Sequence, residues 1–250
     1  MDIISSRKNP LIAHLRKLGN DRAYRRQCRE FICDGAKLLE DALASRLEII
    51  MVLSSGQPPE LPQNIRSIKV SDDIIKYLSS FKSPQDLVFV CKVPNNTHSL
   101  EPGRHLILEN MQDPGNVGTI IRTANAFGVD SIILTGDCAD PYNPKAVRAS
   151  MGAVFRQRII EKDQEKLLNM LSEKGIPLYS SALDEDTVDL RDVQLPSSLA
   201  LAVGNEGQGL SERLLQASAQ KLLIPMERET QSLNAAAAAA ILMWELYKRM

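Results

Sequence analysis

Aromatic side chains are scarce: five Phe, five Tyr and one Trp in 250 residues. Rows of exposed rings on which successive bases stack are therefore a poor basis for a nucleic-acid reading. There is no Cys-x-x-Cys pair, and Cys28, Cys33, Cys91 and Cys138 follow no zinc-ligand spacing. No metal is expected. No apolar run reaches the roughly 18 residues of a membrane span. Residues 235–243 are apolar throughout but stop at Trp244-Glu245. No signal-peptide-like run opens the chain. These absences predict a cytoplasmic protein with reduced thiols and no membrane contact. Excess charge is lacking too. Lys+Arg is 30 and Asp+Glu is 31, a net charge of −1. That excludes a uniformly basic nucleic-acid binder, though not a local basic surface.

What remains is ordinary globular material, 44% hydrophobic and 24% charged. At roughly 150 residues per domain it makes one large domain or two modest ones, with core enough to need no covalent staples. The charge is unevenly spread. Residues 1–29 hold eight basic side chains against Asp2 and Asp21, giving +6 and leaving −7 for the rest. A basic run is commonly a solvated helix face. Clustered at one end of a near-neutral chain, it is also the footprint of a polyanion contact. Arg22, Arg25, Arg26 and Arg29 are the candidates for such a contact.

Residues 31–33, 48–53 and 87–92 read as strands, and 36–45 and 71–79 as helices. This predicts a small α/β domain over 1–93 with a basic helical segment at its start. Residues 94–104, with Pro94, Asn95, Asn96 and Pro102, lack periodicity and read as a linker. From His105 the rhythm changes. Strands are expected at 106–108, 131–134, 177–181, 199–203 and 221–224. Helices are expected to about Phe127 and at 163–174, 211–217 and 232–248. Such alternation over 105–250 predicts a parallel sheet covered on both faces. The six alanines at 235–240 favour helix and close helix packing.

Three stretches carry chemistry. In Asn116-Val-Gly-Thr-Ile-Ile-Arg122-Thr-Ala-Asn125, Val117, Ile120, Ile121 and Ala124 have the spacing of a buried helical face. By itself this is a core helix with a solvated Arg. In Val203-Gly204-Asn205-Glu206-Gly207-Gln208-Gly209, a hydrophobic strand ends in glycines and opens into a helix. Such turns bring backbone amides close to a ligand. The spacing is neither that of a dinucleotide fingerprint nor of a P-loop. Glu206 would repel a pyrophosphate, so a ligand without phosphates is expected. In Ile224-Pro225-Met226 and Ser232-Leu233-Asn234, Ser232 suits an N-cap.

Together and in order, these stretches resemble the SpoU (TrmH-like) RNA ribose 2′-O-methyltransferases of the SPOUT class. Tyr142-x-Pro144-Lys145-x-x-Arg148-Ala-Ser150-Met-Gly152 is similar to the family's segment between its first two motifs. Asn9-Pro10 and Phe31-Ile-Cys-Asp34-Gly35 resemble an L30e-like substrate-binding domain. Asp34 stands where Glu is usual, and Gln231 where Glu is common. The resemblance implies an α/β-knot fold, a parallel sheet closed by a deep trefoil knot, preceded by the small L30e-like domain. That overrules the general expectation of an unknotted sheet. It implies S-adenosylmethionine as methyl donor, held by Thr135, Gly136, Gly204, Ile224, Met226 and Leu233. It implies a homodimer with the knot helices at the interface. It also nominates Asn116, Arg122, Glu206, Ser232 and Asn234 as the catalytic set.

Methyl transfer from a sulfonium is an in-line displacement that needs no metal, only a nucleophile held roughly 3–3.5 Å from the methyl carbon. A ribose hydroxyl must shed its proton. A guanidinium stays protonated in proteins, so Arg122 is read as binding the target phosphate and stabilising alkoxide charge. Glu206 is the carboxylate within the motifs for the proton. Ribosomal RNA is the expected substrate, with transfer RNA the alternative. A non-catalytic RNA-binding module with a decayed methyltransferase domain would have lost motif residues, yet the named ones are present. Methylation of a base carbon commonly uses a Cys nucleophile, and no cysteine lies in the motifs. A dehydrogenase is opposed by the loop spacing.

Overall fold

Asn9 and Pro10 start the first helix for local reasons. In the computed structural model, which describes residues 3–57, 59–81, 85–95, 99–183, 186–205, 207–227 and 232–248, α1 spans Pro10–Asn20. Asn9 Oδ1 accepts from the Leu11 backbone N–H at 2.9 Å. Proline at the first position costs nothing, since its missing N–H would have had no helical partner. Ile12, Leu15 and Leu18 form the buried stripe. Asp21 then ends α1 and caps α2 (Arg22–Cys28), accepting from Tyr24 N at 3.0 Å. The basic segment is thus two short helices hinged at an acid.

Residues Met1–Asn95 and Asp140–Arg156 form one compact unit, and Asn96–Ala139 with Gln157–Met250 form another. In the first unit, β1 (Glu30–Asp34), α3 (Ala36–Ala44), β2 (Ile49–Ser54), β3 (Arg66–Lys69), α4 (Asp72–Leu78) and β4 (Leu87–Lys92) follow the two helices. The sheet order is β1-β4-β2-β3, with β4 antiparallel to both neighbours and β2 parallel to β3. Ile12, Leu15 and Leu18 join Ile32, Leu53, Ile74 and Val90 in one core. Strand β3 escapes sequence reading because only Ile68 of its four residues is buried.

Residues 140–156, inside the expected second domain, pack into this first unit. They carry α6 (Pro144–Ala149) and a helical turn over Ala153–Phe155. The Phe31 ring of β1 lies 4.9 Å from that of Tyr142 and 6.3 Å from that of Phe155. Aromatic burial therefore fixes the segment against β1.

Among the described residues, the second unit has seven strands, all parallel, in the order β7-β6-β5-β10-β8-β11-β9. They are β5 (Arg104–Glu109), β6 (Ser131–Thr135), β7 (Ile159–Glu161), β8 (Leu178–Ser181), β9 (Thr187–Asp189), β10 (Leu199–Val203) and β11 (Gln220–Leu223). Their helices are α5 (Pro114–Ala126), α7 (Gln164–Glu173), α8 (Glu212–Ala217) and α9 (Ala235–Lys248). Every residue of β10 is buried, as a central strand covered on both faces requires. From β5 the chain runs through α5 to β6 on one side, while β10 flanks the other. The strand order reverses between β5 and β10, and the carboxyl ends at such a switch point are where open parallel sheets bind ligands.

Candidate active site

A cleft of about 600 Å³ opens at the carboxyl ends of β10, β8 and β11, within the size range of small-molecule sites. Gly204, Asn205, Gly207, Gln208 and Gly209 form one wall. A Cβ at position 204 would collide with the backbone of Gly209 and Leu210, so only glycine lets this loop close on itself. Gly209 N donates to the Asn205 carbonyl at 2.8 Å, and Gly209 has φ +68°. Ile224 and Met226, after β11, and Ser232 and Leu233, before α9, complete the enclosure. No described lining residue is charged, so nothing there would neutralise a phosphate. Apolar side chains with a glycine backbone fit S-adenosylmethionine, which has an adenine to bury and no phosphate.

Of the six residues named for the donor, Gly204, Ile224, Met226 and Leu233 line this one cleft. Thr135 and Gly136 do not line the cleft. They close β6, which is separated from β10 by β5, whereas β8 is β10's direct neighbour. Ser181, Ala182 and Leu183, at the end of β8, line it instead. Sequence reading missed them because spacing does not reveal strand order. Thr135 is 1% exposed, and its Oγ1 is buried without a described partner. Gly136 has another reason to be glycine. With φ +66°, its missing Cβ leaves room for the Asn110 side chain, whose Oδ1 accepts from Asp137 N at 2.8 Å.

The first and third motifs meet although 118 residues separate them. Asn234 Nδ2 donates to Asn116 Oδ1 at 3.1 Å. Asn234, rather than Ser232, caps α9: its Oδ1 accepts from Ala236 N at 3.0 Å and Ala237 N at 3.3 Å. Ser232 is exposed and lines the cleft. Asn116 sits in the first turn of α5, where Asp113 Oδ1 accepts from its backbone N–H at 2.8 Å. Arg122 lies farther along α5, exposed and outside the lining. Glu206 and Gln231 lie outside the described residues.

Of the basic candidates, Arg25 is not available to a polyanion. It is 3% exposed. Its Nε donates to Asp140 Oδ2 at 2.6 Å and its Nη1 to the Leu18 carbonyl at 2.7 Å. A buried charge needs a partner, and Asp140 comes from the 140–156 segment. Arg26 and Arg29 are exposed and Arg22 is half-buried. Arg29 Nη2 donates to Asn95 Oδ1 at 2.8 Å.

Two family models match: the SpoU rRNA Methylase family over residues 103–244 and the MRM3-like substrate binding domain over residues 9–88. The chain is 32% identical over 250 residues to 23S rRNA (guanosine(2553)-2′-O)-methyltransferase RlmP of Bacillus subtilis, spanning 98% of this chain and 99% of that protein. It is 27% identical over 292 residues to human mitochondrial rRNA methyltransferase 3, spanning 90% of this chain and 69% of that protein. The structure of an AdoMet-bound rRNA methyltransferase from Sinorhizobium meliloti matches with a TM-score of 0.90 at 28% identity, covering 100% of this chain and 98% of that one. On the length of the family match and the full-length likeness to RlmP, this chain belongs to the SpoU rRNA methylase family.

Proposed function

We propose that this protein transfers the methyl group of S-adenosylmethionine to the 2′-hydroxyl of a ribose in ribosomal RNA. The observation that carries the reading is the Asn234–Asn116 hydrogen bond. It joins the first and third motifs beside a cleft walled by the second and third. The relatives named for ribosomal RNA and the match to a substrate binding domain support the choice of RNA.

When bound, the donor supplies a methyl group on a positively charged sulfur. Gly204, Ile224, Met226 and Leu233 hold it. Asn116, Ser232 and Asn234 position the nucleotide. Arg122 presents an exposed guanidinium to the target phosphate and to the charge that grows on the 2′-oxygen. Glu206 takes the proton. This division of labour calls for no metal.

The enzyme works as a homodimer in the cytoplasm in this reading. Ile241, Trp244 and Tyr247 of α9 are 38%, 48% and 43% exposed. The Phe127 ring, at the end of α5, lies 5.8 Å from that of Trp244 and 5.4 Å from that of Tyr247. An exposed aromatic patch of this kind fits a protein interface, and a second copy is its occupant. The trefoil knot implied by the resemblance belongs to this reading.

The test is the atom methylated. In a ribosomal RNA transcript, replacing the target nucleotide by its 2′-deoxy counterpart abolishes transfer but leaves RNA binding. Arg122→Ala lowers the transfer rate by about 10²–10³-fold with donor affinity unchanged. Methylation of the 2′-deoxy substrate at that nucleotide would replace this reading with a base-directed one.

A further inference from the structure

Glu109, the last residue of β5, is 4% exposed, does not line the cleft, and has no part in the chemistry above. Its Oε2 accepts from the Ser211 backbone N–H at 2.6 Å. Its Oε1 accepts from Gln164 Nε2 at 2.8 Å. That same nitrogen donates to Ser211 Oγ at 2.6 Å. The next residue holds the other end of the glycine loop: the Asn110 carbonyl accepts from Asn205 Nδ2 at 3.2 Å. Asn205 Oδ1 in turn accepts from Gly207 N at 2.8 Å. The loop is fastened at Asn205 and at Ser211 to two consecutive residues of one strand end. Asn110 itself adopts φ +53°, a left-handed conformation that asparagine tolerates better than most residues.

We propose that Glu109 is a positioning residue for the methyl donor: its buried carboxylate fixes Ser211 and, with Asn110, orders the cleft wall at Asn205, Gly207 and Gly209 before the donor arrives. Glycine loses more conformational freedom on ordering than any other residue. Pre-ordering such a loop therefore raises affinity by removing a cost of binding. An acceptor is required at 109 for a geometric reason. Both neighbours present N–H groups, and a carboxylate accepts from both. A side chain at 109 that accepts nothing leaves the Ser211 N–H without its partner. The inference rests on reading the cleft as the donor site.

Calorimetry of the full chain with S-adenosylmethionine tests it, with thermal unfolding of the same samples without donor. Glu109→Ala weakens donor binding about tenfold, the equivalent of one lost charged hydrogen bond, while the transfer rate at saturating donor stays close to wild type. Glu109→Asp, one methylene too short to span both partners, weakens it likewise and serves where Glu109→Ala fails to fold. Glu109→Gln restores affinity: its oxygen accepts from the Ser211 N–H, and its nitrogen donates to the Gln164 side-chain oxygen once that amide turns over. A folded Glu109→Ala or Glu109→Asp protein of wild-type affinity overturns the clamp, as does a Glu109→Gln protein as weak as Glu109→Ala. Absence of donor binding by the wild-type chain overturns the donor assignment itself, and the inference with it.

Discussion

Arg25 and Asp140 lie 115 residues apart and meet as a buried ion pair. Nothing in the local sequence separates Arg25 from Arg26, yet one anchors the first unit and the other is exposed. Arg25→Ala strands the Asp140 carboxylate, and breaking a buried pair costs about 3–5 kcal/mol. Denaturant unfolding measures that loss. Donor affinity is unchanged, because every described residue lining the cleft belongs to the second unit. His105 is buried in β5 and held neutral. Its Nε2 faces the Glu101 carbonyl at 3.0 Å, which can only accept, so Nδ1 accepts from Ser131 Oγ at 2.8 Å. Burial pushes its pKa below the usual 6.5. The unfolded chain therefore takes up the proton first, and stability falls as pH drops from about 6.5 toward the lower folded value. Urea midpoints between pH 7 and 5 show this slope. His105→Gln flattens it, while the contribution of the carboxylates stays.

Among the elements, α9 joins two tasks. Its first residues follow the Asn234 cap, and Ala235, Ala236 and Ala239 are buried. Small side chains there let α9 approach α5, which brings Asn234 to Asn116. Its last turns leave Ile241, Trp244 and Tyr247 at the surface. If that stripe is the interface between copies, Trp244→Glu combined with Tyr247→Glu yields monomers, because two carboxylates would be buried without partners. Light scattering at micromolar concentration reads the mass. A double variant that keeps the wild-type mass removes α9 from the interface.

At the scale of the molecule, the two units bear different charge. The first 29 residues carry +6 within a chain of net −1. RNA affinity drawn from this end depends on salt through released counterions. With Arg25 committed internally, Arg22, Arg26 and Arg29 remain. Changing all three to Gln lowers the slope of log affinity against log salt by about 2, at roughly 0.7 per phosphate for single strands. Fluorescence anisotropy with a labelled ribosomal RNA fragment between 50 and 200 mM salt, the range over which the effect is large, gives both slopes. An unchanged slope removes these three arginines from the RNA contact.

By itself the sequence determined what is local. Periodicity placed β4 and β10 at their observed bounds and most other elements within about two residues, because side-chain spacing records which face is buried. The order of the three motifs placed the chain in its family. Strands β3, β7 and β9 were not readable: β3 buries only Ile68 and β9 fully buries no residue, so neither shows an apolar face, and β7 is only three residues long. The tertiary structure decided the rest through long-range pairing. Strand order set β8, not β6, beside β10, so Ser181, Ala182 and Leu183 line the cleft and Thr135 and Gly136 do not. Burial turned Arg25 from a surface cation into an internal one and drew residues 140–156 into the first unit. Glu109 became notable only once Ser211 and Gln164 were brought to its two oxygens. Each of these depends on groups distant in sequence that meet only when the sheet is assembled, and a local pattern holds no record of its partners.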